Sequence, residues 1–419
     1  MGVLGNCREL QNFHSGGFCL RMPYMSPPAQ YNSLEMTERL IGFDTTSRLS
    51  NLELIDFVEN YLREHGIEAE RVVSEDGRKA NLWATLGDKN QAGGIILSGH
   101  SDVVPVEGQS WSTPPFQATV RDNRLYGRGS CDMKSFIAIA LAMVPDFLKR
   151  PLSAPIHFAI SYDEEVGCLG VRPLLKHIRE RLPMSAMPPA LAIIGEPTSM
   201  KVVNAHKSIH VHETLIEGLE AHSSATHKGV SSIIAAGKLI NFLDGVSAEM
   251  RRRGDDDTSK RFDPPYTSVQ VGVIEGGEAV NIIPRHCRFD WEYRSVPGSD
   301  DDEIFERFNN YAKENLLPEM QRVASHASIE TRKIASVPAF SVKNNSEAEA
   351  LALRLSGSNQ SLAVSYASEA GLFEDAGIPA VVCGPGDILQ AHRPDEFIEL
   401  SQIKECENFL RKLLEHLRS

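Results

Sequence analysis

Apolar residues recur along the chain in two periods, and the switching between them predicts an order of elements. Ser33 has the character of an N-cap, and the spacing that follows predicts a helix over Leu34–Ser47. Leu54, Phe57, Val58, Tyr61 and Leu62 recur at helical spacing, with Gly66 placed to end that helix. Short strands are predicted at Glu68–Val73, Asn81–Leu86 and Gly94–Ser98. The last is apolar on both faces, as a central buried strand is. A second strong helix is predicted over Lys134–Leu148, then buried strands at Pro155–Tyr162 and Ala190–Ile194.

The middle of the chain changes character. Val202–Leu215 alternates over a long run, Val230–Leu243 has helical spacing, and Arg251–Asp257 is a charged, exposed insertion. Thr267–Ile274 and Cys287–Tyr293 alternate like half-buried strands, Asp302–Leu316 is a predicted helix, and Ser328–Ile334 another strand. Strand, helix, strand, strand, helix, strand is the order of a split βαβ layer. With 419 residues the chain is long for one core. The expected division is a leader over 1–32, an α/β unit over 33–201 and 335–419, and an inserted α+β unit over 202–334.

Composition narrows the function classes. A formal charge of −13 argues against nucleic acid, which needs a basic face. Seven scattered cysteines without a CxxC pair suit reduced thiols in a cytoplasmic protein better than a disulfide scaffold. No apolar run approaches the roughly 18 residues of a membrane span, and no secretory signal is evident.

Candidate chemistry lies at the ends of predicted strands. Gly99-His100-Ser101-Asp102 follows a buried strand; His100 can bind a metal while Asp102 accepts its other N–H. Asp132 follows a glycine-rich turn at the mouth of a helix, where simple N-capping is the competing explanation. Asp163-Glu164-Glu165 places three adjacent carboxylates after a strand; they repel unless solvated or bound to a cation. Glu196 follows a further strand, and His392 lies in Ala391-His392-Arg393-Pro394-Asp395-Glu396. Each alone is consistent with an ordinary turn. Together His100, Asp132, Glu165, Glu196 and His392 could hold two divalent ions if one carboxylate bridges, with zinc, cobalt or manganese suited to such mixed N/O donors. Glu164 is then free to act as a general base.

The patterns GHSDVVP, GRGSCDMK, SYDEEVGCLG, GEPT, GLEAHSSATHKGVSSI and GPGDILQAHRPDEF resemble the dinuclear-zinc aminoacylase/carboxypeptidase family of metallopeptidases, from about residue 34 onward. That resemblance implies a mixed-sheet, three-layer α/β catalytic domain interrupted by a smaller ferredoxin-like α+β lid that dimerises. It implies His100 and Glu196 on one Zn2+ (Co2+ as the other candidate), Glu165 and His392 on the second, Asp132 bridging, and Asp102 orienting His100. Glu164 becomes the general acid/base, and His222 reaches the partner subunit's site to stabilise an oxyanion. Asn281 and Arg294 are expected to contact substrate, Arg294 through the α-carboxylate. The implied activity is removal of an acyl group from an amino acid's α-nitrogen, with N2-acetyl-L-ornithine the leading substrate. Succinyl-diaminopimelate hydrolysis, a broad aminoacylase and a non-catalytic binder are the alternatives. Glu369, in Ser368-Glu369-Ala370-Gly371-Leu372-Phe373, is expected either to select the substrate's ammonium group or to support the local fold.

Overall fold

A computed structural model describes residues 28–418, save 90, 92, 182–190, 255, 344 and 345. The expected leader lies outside the described residues as far as residue 27. The first helix is Ser33–Ile41, shorter than expected, and its N-cap is Asn32, which closes a capping box with Glu35. Gly42 caps it. Thr45 and Ser47 instead bond their backbone to Val103, beside the strand end that carries His100.

Nine strands form the main sheet, in the order 69–73, 80–86, 156–161, 95–100, 191–197, 380–384, 203–206 and 340–341, with 362–364 beside 203–206. Ile156–Ser161, Ile95–His100, Leu191–Pro197 and Ala380–Gly384 run mutually parallel at its centre. All their side chains are buried, because helices cover both faces. Alternate residues serve alternate layers. Ile95, Leu97, Ile193 and Val381 pack among the helices Ser33–Ile41, Leu52–Glu64, Lys134–Ala142, Glu347–Ser356 and Leu400–His416. Ile96, Ala192, Ile194 and Val382 pack against Val171–Arg181 and Ala370–Asp375. This three-layer, mixed α/β arrangement places the carboxyl ends of four parallel strands along one edge, where α/β sheets bind ligands.

Two glycines allow that edge to close. A Cβ on Gly384 would lie 2.0 Å from the Gly195 carbonyl oxygen, and one on Gly195 would lie 2.0 Å from the Phe136 ring.

A separate four-stranded antiparallel sheet has the order 268–276, 286–294, 209–217, 328–337. The helices Ser232–Arg253 and Glu303–Tyr311 pack on it through a core that includes Trp291, Phe289, Leu239 and Phe308. The expected strand Val202–Leu215 is two strands. Val203–His206 completes the main sheet, and Ile209–Glu217 begins the small one. Lys207, between them, donates to the carbonyls of Pro264 and Tyr266 at 2.7 Å and pins the crossing. The expected helix Lys134–Leu148 also divides, at Met143, because Pro145 opens a second short helix, Val144–Leu148. Helix Ser232–Arg253 runs on into the expected charged insertion. Among the described residues no helix is long and apolar enough to cross a membrane.

Candidate metal centre

The strand ends and two loops bring five of the predicted ligands together. His100 ends its strand and is 1% exposed. Its Nε2 lies 3.1 Å from Asp132 Oδ1 and 3.8 Å from Glu196 Oε1. His392 Nε2 lies 3.3 Å from Asp132 Oδ2 and 3.0 Å from Glu165 Oε2. The donor atoms fall into two triads, His100–Asp132–Glu196 and Asp132–Glu165–His392, which share Asp132. Asp132 thus presents one oxygen to each imidazole, the arrangement a bridging carboxylate requires.

The residues fit divalent cations on two grounds besides spacing. Glu165 Oε1 and Glu196 Oε1 are buried without a hydrogen-bond partner, a costly state that cation coordination would relieve. Charge points the same way. Burial, reinforced by neighbouring carboxylates, pushes Glu164 up to about 8, Glu165 up to about 6 and Glu196 well above the usual range. Burial opposes a charge on His100, yet Glu196, Asp102 and Asp132 raise it well above its ordinary value. Hydrogen bonds to Asp132 and Glu165 raise His392 to about 11. The cluster is short of positive charge, and N/O donors of this kind suit zinc or its neighbours.

Asp102 is placed differently from expectation. His100 Nδ1 lies 2.9 Å from the Asp102 backbone carbonyl, whereas the carboxylate is 3.6 Å away. The carbonyl is therefore the acceptor that fixes the ring. The Asp102 carboxylate instead accepts the backbone N–H of Glu164 at 3.1 Å and of Glu165 at 3.2 Å, and the Ser47 hydroxyl at 2.8 Å. It caps the turn that carries both glutamates.

A cavity of about 340 Å3 opens on the cluster. Asp132, Glu164, Glu165, Glu196 and His392 line it, together with Arg294 from the small sheet. The remaining wall includes Ile209, Val337, Tyr366 and Ile388, none of which was singled out in the sequence. Cys168 also lines it and reaches Glu164 Oε1 at 3.4 Å.

Three of the residues expected to meet substrate or oxyanion do not line the cavity. His222 is exposed on the short strand Ala221–His222, its Nδ1 2.8 Å from the Ser224 hydroxyl. Asn281 is exposed beside it, its carbonyl accepting from Ser223 N at 3.0 Å. Glu369 is 1% exposed and sits behind the strand ends, accepting from the Ser161 hydroxyl at 2.5 Å and the Ser98 hydroxyl at 3.3 Å. Of the two expectations for Glu369, this placement agrees with support of the local fold and not with contact to a substrate ammonium group, since its oxygens are directed to two buried serines.

The fold and this cluster define a metal-dependent hydrolase. The chain belongs to peptidase family M20/M25/M40, whose sequence profile matches residues 96–416. It is 33% identical over 387 residues to the acetylornithine deacetylase of Myxococcus xanthus, covering 90% of this chain and 95% of that one. It is 32% identical over 389 residues to the acetylornithine deacetylase of Pasteurella multocida, covering 91% and 97%. The fold is shared with an M20 family metallo-carboxypeptidase, Sso-CP2 of Sulfolobus solfataricus, at a TM-score of 0.72 and 18% identity over 92% of this chain and 99% of that one. It is shared too with the YXEP protein of Bacillus subtilis, a dinuclear metal binding peptidase, at 0.60 and 16% over 91% and 99%.

Proposed function

We propose that the protein is an amidohydrolase that removes the acetyl group from N2-acetyl-L-ornithine, giving L-ornithine and acetate, a step of arginine biosynthesis. The observation that carries the chemistry is the pair of triads sharing Asp132, open to a cavity beside Glu164. The substrate is supported by the relatives named acetylornithine deacetylase over nearly their full lengths.

His100 and Glu196 would hold one divalent cation, Glu165 and His392 the other, and Asp132 both; zinc is the first candidate and cobalt the second. Such a pair supplies Lewis acidity, which lowers the pKa of water towards neutrality and polarises the amide carbonyl. Glu164 takes the proton from the attacking water as the new C–O bond forms. The same carboxyl then delivers that proton to the departing nitrogen as the C–N bond breaks, which an amine leaving group requires. Its backbone N–H, held by Asp102, keeps the carboxylate at the cavity wall. Arg294 faces the cavity from the small sheet and pairs with the α-carboxylate of the substrate.

His222 and Asn281 serve the site of a second copy, in a homodimer formed through the small α+β unit acting as a lid. Exposed apolar side chains beside them, Val280, Ile282, Ile233 and Ile234, support that face as the contact. The partner subunit's His222 then stabilises the oxyanion.

A second reading is favoured by the cavity wall. Away from the proposed ligands, Ile209, Val337 and Ile388 make it apolar. That suits a broader aminoacylase. Zinc- and cobalt-reconstituted protein assayed on acetylornithine, succinyl-diaminopimelate and acetylmethionine decides. Highest kcat/KM on acetylornithine supports the proposal, higher kcat/KM on acetylmethionine supports the second reading, and no hydrolysis of any substrate refutes both.

A further inference from the structure

Glu396 is a carboxylate outside the cavity that lies on the loop of His392 and whose bonds end on the loop of Asp132, the two loops that carry proposed ligands. It is 1% exposed. Its Oε1 accepts the backbone N–H of Cys131 at 2.8 Å and of Asp132 at 3.0 Å. Its Oε2 accepts the N–H of Gly129 at 3.2 Å and Arg128 Nη1 at 2.6 Å. Its own carbonyl accepts from Gly127 N at 3.0 Å. Five donors from residues 127–132 therefore converge on one residue of the loop that begins at His392.

A second set of bonds closes the circuit. Arg128 Nη2 donates to Gln109 Oε1 at 2.6 Å, and Gln109 Nε2 donates to the His392 carbonyl at 2.9 Å. His392 and Asp395 both have left-handed backbones, φ +62° and +54°. Non-glycine residues hold such conformations only where their surroundings impose them. The His392 side chain is 54% exposed, and among the described residues its ring is held by ion-pair distances to Asp132 and Glu165 alone. Packing does not place this imidazole; the backbone below it does. Burying a carboxylate and a guanidinium is costly, and here the cost is offset by bonds that fix one loop to the other.

We propose that Glu396 is a positioning residue: with Arg128 and Gln109 it clamps the Asp132 loop to the His392 loop and so sets the site formed by Asp132, Glu165 and His392. The inference rests on the metal-centre reading above. Partners that orient ligands in this way are worth about 10- to 100-fold in metal affinity.

The test is zinc binding by chelator competition on the full chain, for wild type, Glu396→Gln and Gln109→Ala. The wild type is expected to bind two zinc ions. Each variant is expected to keep one wild-type step and to weaken the other by at least ~10-fold, with the circular dichroism of the metal-free protein unchanged. The zinc-induced rise in Tm should shrink in parallel. Should Glu396→Gln fail to fold, Gln109→Ala decides alone, since it leaves the Arg128–Glu396 pair and removes the link to His392, with one further bond from Trp111 Nε1. Folded variants with both steps at wild-type affinity would overturn the proposal. A wild type without two zinc ions would instead overturn the metal-centre reading, and this inference with it.

Discussion

Glu164 and Glu165 are neighbours in sequence with different surroundings. Glu165 meets His392, whereas the side chain of Glu164 has Cys168 as its one hydrogen-bond partner among the described residues. Glu164→Gln keeps the shape and removes the proton carrier. Turnover should fall by at least ~10²-fold, while zinc content by elemental analysis stays at the wild-type value; near-normal turnover would remove Glu164 from this role. His157 offers a prediction remote from the metal centre. Stacked on Trp83 and buried, it is pushed down to about 4 by burial. The folded state keeps it neutral, and the unfolded chain protonates near 6.5. Its stability contribution is therefore whole above about 6.5 and is lost as pH falls towards 4, at about 1.4 kcal/mol per pH unit. Denaturant midpoints measured across that range should fall less steeply in His157→Gln; an unchanged slope would show that His157 is not the group responsible. The proposed ligands were legible where they end or follow a buried strand, as His100, Glu165 and Glu196 do, or precede a helix, as Asp132 does; His392 lies in a loop and carries no such local mark. Glu396 was not legible as a clamp, because its partners lie 264 to 268 positions away and are mostly backbone groups. Glu369 stayed between two readings because sequence gives no direction for a side chain: its carboxylate faces Ser98 and Ser161, as support of the local fold requires.

At the scale of elements, the site depends on strands ending in register. His100, Glu196 and the Asp163–Glu165 turn share one edge because strands 95–100, 156–161 and 191–197 are parallel neighbours. The continuous apolar runs predicted those strands, since a strand covered on both faces has no polar alternation to confuse it. Breaks within elements were harder to read. Val203–His206 and Ile209–Glu217 are both compatible with one alternating run, and only tertiary pairing divides them between two sheets. Gly384 tests how closely the edge is packed. Its Cα hydrogen faces the Gly195 carbonyl, and a methyl there would sit 2.0 Å from that oxygen. Gly384→Ala should lower stability by about 1–3 kcal/mol, as overpacking does, and weaken zinc binding because strand 191–197 carries Glu196. Equilibrium unfolding and zinc competition measure the two effects; wild-type values for both would show that the edge has slack.

At the scale of the molecule, two sheets meet over one cavity. The main sheet and its loops present Asp132, Glu164, Glu165, Glu196 and His392, and the small sheet presents Arg294. Arg294→Met should raise KM for acetylornithine by about 10-fold or more with less effect on kcat, since a charge-assisted pair to a bound carboxylate is worth about 1.5–3 kcal/mol. A fall in kcat with KM unchanged would instead place Arg294 in the chemical step. The order of elements in the middle of the chain announced the small sheet, because the split βαβ pattern survives in hydrophobic periodicity alone. The cavity it forms with the main sheet did not follow from periodicity, since Ile209, Val337 and Tyr366 carry no local mark of facing it. In the proposed centre, carboxylates and imidazoles from positions 100 to 392 would hold two cations, with Asp132 shared between them. The most direct measurement is the zinc content of dialysed wild type and Asp132→Asn. Two zinc ions per wild-type chain, falling to one or none in the variant, is the predicted result; a wild type without tightly held zinc or cobalt, or a variant that keeps both ions, would contradict it.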